Sequence, residues 1–283
     1  LKRIVAISTL PVSFSKGELM TSFLAAIVRL KVCISCIGLV GLLACASLGP
    51  REGMVKDSFS EGLVGHWPLN GNANDVSGKG HHGKVIGATP TQGASGGTYH
   101  FNGEAAIDLG PLDFSSEQFT VSGWIRTSEP ARYECWRVWI DKIDESGGSF
   151  ELGIGDGRSE PTHAANGPKA EAWKSICGGA FYMLKDDTKL NLRDGRWHMY
   201  SLTYQKGSQR LYVDGELFAS GTYSDRLPST PAHVMIGGSH FGPYHHPWIG
   251  DVGEVLIYNR TLSDDEVMRV FQIQRSGKTY GQP

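Results

Sequence analysis

Asp214-Gly215 lies between Leu211-Tyr212-Val213 and Glu216-Leu217-Phe218. An Asp-Gly pair between apolar runs is the strongest short hairpin signal. Both central residues must take positive φ, and the twist of the turn then matches that of the strands it joins. This commits the stretch to two adjacent antiparallel strands. The same pattern recurs along the chain. Phe119-Thr120-Val121-Ser122-Gly123-Trp124-Ile125-Arg126 alternates, with Phe119, Val121, Gly123 and Ile125 on one parity. Residues 136–140, 150–154, 197–204 and 234–236 read as further strands, and 63–69 as a strand buried on both sides. Asn102-Gly103, between Tyr99/Phe101 and Ile107/Leu109, gives a second hairpin signal. With 37 glycines and little helical periodicity, the chain reads as all-β, many short strands joined by turns.

One helix is expected, at the end. Val255 and Ile257 share one strand face, with Asp251 and Gly253 on the same parity. Asn259-Arg260 break the run. Ser263, with Glu266 three residues later, forms a capping box, and Val267, Val270 and Phe271 give the helix its apolar stripe.

Charge is unevenly distributed. Residues 1–44 carry five Lys/Arg against one Glu, a charge of +4, which leaves −6 for the rest of a chain whose formal net charge is −2. A mildly acidic body offers no footing for nucleic acid. Residues 32–44 are almost wholly apolar and follow Arg29 and Lys31, the order of a secretory signal. The run is shorter than the roughly 20 residues of a membrane span. Its end, Leu42-Leu43-Ala44-Cys45, resembles the bacterial lipobox, in which the cysteine is lipidated and anchors the mature protein to the membrane. A conventionally cleaved secreted protein and an uncleaved anchor are the alternatives, and Met20 is a candidate start. The expected organisation is 1–45 start region and leader, 46–61 tether, 62–275 domain and 276–283 tail. Of the five cysteines, Cys135 and Cys177 are the pair within the exported domain. Export favours a disulfide between them, two buried thiols being the alternative.

Several stretches carry polar chemistry. Residues 70–83 are dense in Asn, Asp and Gly, suiting either a calcium loop built on hard oxygen ligands or a turn held by side-chain-to-backbone bonds. Residues 156–179 lack periodicity and read as a long loop containing Trp173. The stretch before the final strand holds Phe241, Tyr244, His245, His246 and Trp248. This is an aromatic platform with polar neighbours, the composition of a sugar-binding loop; covering the sandwich edge is the competing role. Retaining glycosidases need two carboxylates about 5 Å apart. Along one strand the nearest attempt is Asp141 with Asp144, which have opposite parity. The run from Asp144 to Gly148 reads as a hairpin turn instead.

Five blocks in order resemble one family. They are Gly62-Leu63-Val64-Gly65-His66-Trp67-Pro68-Leu69 with the loop after it, residues 119–125, Trp197-His198 with Thr203-Tyr204, residues 211–215, and the closing strand 250–263. Together they are similar to laminin-G-like, concanavalin A-like jelly-roll domains. The resemblance implies a two-sheet antiparallel jelly-roll β-sandwich with a short C-terminal helix, often with one calcium, in secreted and surface proteins that bind glycans or other proteins. Members often carry an acidic pair where this chain has Gly253-Glu254. If first and last strands lie side by side, Asp75 and Asp251 become the candidate calcium ligands. The expectation is an exported or surface-anchored module that binds glycans through Tyr244, His245, His246, Trp248 and Trp173. An adhesive protein-binding domain or a polysaccharide hydrolase is the alternative.

Overall fold

Strand β6 (Gln118–Arg126) shows how the sandwich is put together. Phe119, Val121 and Ile125 are buried in the main core, and Gly123 shares their parity. A Cβ on Gly123 would lie 2.7 Å from the ring of Trp139, so glycine here lets the opposite sheet approach. The computed structural model describes residues 59–93, 96–113, 117–130, 137–144, 147–154, 168–173, 180–183, 190–221, 230–238 and 247–277. All fall within one unit, Glu52–Pro283.

The strands form two antiparallel sheets. In the first, β13 (Glu216–Gly221), β12 (Ser208–Val213), β11 (His198–Gln205), β6, β15 (Ile249–Tyr258), β4 (Gly97–Asn102) and β3 (Thr89–Gln92) follow one another. Strand β1 (Leu63–Trp67) also pairs with β15, Trp67 opposite Val255, so first and last strands are neighbours. In the second, the order is β10 (Ala180–Met183), β9 (Pro168–Trp173), β8 (Gly147–Ile154), β7 (Arg137–Asp144), β14 (Val234–Ile236), β5 (Ala106–Asp108) and β2 (Lys84–Ile86).

The core between the sheets is aromatic. Trp67, Phe101, Phe119, Trp139, Phe150, Tyr200 and Tyr204 are fully buried, and Phe119 lies 5.5 Å from Phe150 across the sheets. Tyr200 also donates its Oη–H to the carbonyl of Gly153 at 3.1 Å, so its hydroxyl is not stranded. A second, smaller core lies under helix α1 (Asp264–Arg275) on the outer face of the first sheet. Val267 and Val270 pack there with Met199, Tyr212, Leu256 and Tyr258. The capping box is present in full, Glu266 N–H donating to Ser263 Oγ and Ser263 N–H to Glu266 Oε2.

Three expectations change. Residues 156–179 are not one loop, because β9 lies within them and pairs with β8. Its sequence, Pro-Lys-Ala-Glu-Ala-Trp, has weak strand propensity, so hydrogen bonding to the free edge of β8 decides its state. Asn102-Gly103 does not close a hairpin, because β4 and β5 belong to different sheets. Asn102 Oδ1 instead accepts the N–H groups of Glu104 and Ala105, and the chain crosses between layers there. Asp251 is not on the inward parity of Val255 and Ile257. A β-bulge between Val252 and Val255 inserts one residue against β6, which turns Asp251 to the outer face, opposite Arg126.

Candidate functional site

A cleft of about 440 Å³ opens on the outer face of the first sheet, at the C-terminal end of α1. Trp124, Trp197, Phe271, Arg196, His198 and Asp214 line it, together with Gly97, Thr98, Gly253, Glu254 and Arg275. Trp124 points outward because its neighbours Gly123 and Ile125 are on the inward parity of β6. Its ring stacks on Phe271 at 5.7 Å, and its Nε1–H donates to Gln274 Oε1 at 2.8 Å. The bulge in β15 sets Gly253 between the two indoles. A Cβ there would lie 3.2 Å from Trp124 Cβ and 3.6 Å from the Trp197 ring. The missing side chain is therefore part of the cleft's shape.

Ion pairs position the walls. Arg126 sits 4.8 Å over the ring of Trp197 while donating to Asp251 Oδ2 at 2.8 Å from Nε and 2.7 Å from the terminal nitrogen. His100 bonds the other oxygen of Asp251 at 2.9 Å. At the same end of the strands, on the next strand β11 opposite Ile125, His198 lies between two carboxylates, Nδ1 2.9 Å from Asp214 Oδ2 and Nε2 3.2 Å from Asp194 Oδ1. Burial works against a charged imidazole, but the bonds and charges of Asp214 and Asp194 outweigh it and raise the His198 pKa. Burial likewise works against the charged form of Asp194; bonds from Arg196 and His198 outweigh that and lower its pKa. The hairpin tip holding Asp214 has positive φ at Asp214 and Gly215, the type I′ geometry its sequence predicts. Gly215 also packs on the helix, where a Cβ would lie 3.1 Å from Met268 and Phe271.

Asp75 and Asp251, expected to form a calcium site, are not brought together. Asp75 accepts backbone N–H bonds from His66 at 3.0 Å, Ser77 at 2.8 Å and His81 at 3.0 Å, and works as the anchor of its loop. Burial raises its pKa, but these donors outweigh that and hold the carboxyl below its ordinary value. His66 stands opposite Leu256, five residues along β15 from Asp251, roughly 16 Å at about 3.3 Å per residue. Asp75 and Asp251 are therefore not a calcium pair; each is consumed by local donors. Among the described residues, no group of three or more His, Cys, Asp and Glu is placed to hold a metal ion. Trp248 is not a ligand platform. It is fully buried in the main core, with its backbone N–H bonded to the Gly237 carbonyl at 3.0 Å. Trp173 falls on β9, opposite Ala180. Tyr244, His245, His246, Cys135, Cys177 and Cys45 lie outside the described residues.

Sequence reasoning missed Trp124, Gly253 and Arg126 as site residues. A tryptophan at an outward position of a long alternating strand is the signal that could have found the first.

The Laminin_G_3 family, described as the concanavalin A-like lectin/glucanases superfamily, matches residues 101–268. The chain belongs to this family. No curated protein sequence matches this laminin-G-like chain. Among solved structures it is similar to the binding domain of Paraclostridial Mosquitocidal Protein 1, with a TM-score of 0.60, 18% identity, and coverage of 75% of this chain and 52% of that one. It is similar to domain 4 of AbnA, a GH43 extracellular arabinanase from Geobacillus stearothermophilus solved with arabinotriose, with a TM-score of 0.57, 19% identity, and coverage of 74% and 98%. The botulinum neurotoxin serotype D binding domain gives a TM-score of 0.58 at 15% identity, with coverage of 75% and 52%. At these identities the likeness is one of fold. The chain spans about half the length of the two toxin domains.

Proposed function

We propose that this laminin-G-like chain is an exported carbohydrate-binding module and that the aromatic cleft on its outer sheet face is the glycan site. The observation that carries this reading is the pairing of Trp124 and Trp197 around a side-chain-free floor at Gly253, ringed by Arg196, Asp214 and Glu254. Sugar rings present apolar C–H faces and a polar hydroxyl rim. Aromatic walls with a few placed polar groups match both. A cleft of about 440 Å³ suits one or two sugar units. The arabinotriose carried by domain 4 of AbnA is consistent with a glycan ligand on this fold. Export is supported by the positively flanked apolar run at 32–44, and an anchor at Cys45 would place the module at the cell envelope.

Binding is favoured over hydrolysis by the state of the cleft's acids. Glu254 Oε1 is 2.6 Å from His66 Nε2, and Asp214 is held by His198 at 2.9 Å, so each carboxylate has a structural partner. A glycan array probed with the purified chain tests the reading. The expected result is a defined set of oligosaccharide signals that free ligand competes away. An array without signal contradicts it.

A further inference from the structure

The outer face of the second sheet carries a buried pair of acids that the glycan reading does not use. Asp141 on β7 stands directly opposite Glu151 on β8, and Glu151 opposite Glu171 on β9, so three acidic positions follow one another across three strands. Asp141 is 0% and Glu151 4% exposed. Both carboxylate oxygens of Asp141 lack a hydrogen-bond partner among the described residues. The neighbouring ammonium does not supply one, since Lys142 Nζ donates to the carbonyls of Thr230 and Ala232 at 2.9 and 2.6 Å.

Directly opposed strand residues place their Cβ atoms about 5 Å apart, and like charges there destabilise a sheet. A carboxylate with no donor is also costly to bury. Burial, and then the charge of Glu151, push the Asp141 pKa well above its ordinary value. The Asp141 carboxylate, without a donor among the described residues, is unfavourable where it lies. A cation held by its oxygens removes that penalty.

We propose that Asp141 and Glu151 form the protein side of a binding site for a hard divalent cation of the calcium class. Carboxylate oxygens in a desolvated place are the donors that such ions take. The spacing of the pair also suits a retaining glycosidase, but residues this buried cannot meet a sugar ring, whereas an ion fits. The site is distinct from the Asp75–Asp251 pair and lies on the sheet opposite the aromatic cleft.

The test uses the whole chain, stripped with EDTA and dialysed. Calcium chloride is titrated calorimetrically, bound metal is counted by mass spectrometry, and Tm is followed with and without calcium. The expected result is about one equivalent of calcium bound, with a raised Tm. Asp141→Asn and Glu151→Gln should each lose that equivalent and the Tm rise, while keeping a metal-free Tm at or above that of the parent. If either substitution prevents folding, the other carries the comparison. Calcium bound equally by both variants places the ion elsewhere and overturns the proposal. So does a parent that binds none, which would leave the two acids sharing a proton.

Discussion

Gly253 lies against Trp124 so closely that a Cβ added to it would come 3.2 Å from Trp124 Cβ. The contact exists because two residues of β15, Gly253 and Glu254, are set against one residue of β6 at the bulge. Filling that floor should close the cleft from below. Gly253→Val is expected to weaken glycan affinity by at least about tenfold, or roughly 1.4 kcal/mol. Gly253→Ala should have a smaller effect. Calorimetry on both variants checks the order, and the far-UV spectrum should stay unchanged.

His198 gives the domain a pH-dependent stability. Its folded pKa is raised from the ordinary 6.5. Its contribution is therefore full below about 6.5 and is lost as pH rises through the folded value. Asp194 acts in the opposite sense. Its folded pKa is lowered from 3.8, so its contribution is present above that value and is lost as pH falls through the folded one. Melting curves should show the cluster's support intact between about pH 4 and 6.5 and declining above. His198→Gln should flatten the alkaline decline. A decline that is the same in this variant would assign it to other groups.

The helix start was legible in the sequence, and its removal has a definite size. Ser263→Ala deletes the acceptor of the Glu266 N–H bond. A loss of about 1 kcal/mol is expected, or a Tm fall of roughly 2–4 °C for a domain of this size. A fall of that order with unchanged glycan binding would place Ser263 in the architecture alone.

What could be read in advance was set by local rules. Asp214-Gly215 and Ser263/Glu266 act through their own backbone, so their chemistry showed in the residues themselves. The parity of Phe119, Val121 and Ile125 was legible for the same reason. Asp251 was misplaced because one inserted residue at the bulge reverses every parity beyond it, and a bulge is fixed by the partner strand. Strand β9 was missed because the edge of β8 gives it its bonds. Trp124 and Trp197 are brought together by strand pairing and loop closure, and Gly253 meets both only through the bulge. The opposition of Asp141 and Glu151 likewise exists across strands, where inspection of either strand alone finds no pair.

Arg126 is a positioning residue for Trp197. Its guanidinium lies 4.8 Å over that ring and is held by Asp251. Arg126→Met keeps an apolar stem beside the indole but removes the charge. It should weaken glycan binding less than loss of Trp197 itself. A variant as damaged as the Trp197 truncation would mean that Arg126 touches the ligand.

The central claim is that the Trp124–Trp197 cleft binds glycan. The most direct measurement is a calorimetric titration of the strongest array-positive oligosaccharide into the parent chain and into Trp197→Ala and Trp197→Phe. The expected result is saturable binding by the parent, loss of at least about tenfold in affinity for the alanine variant and substantial retention by the phenylalanine variant. Equal affinity in all three, with the fold intact, would contradict the assignment and move the glycan to another face of the sandwich.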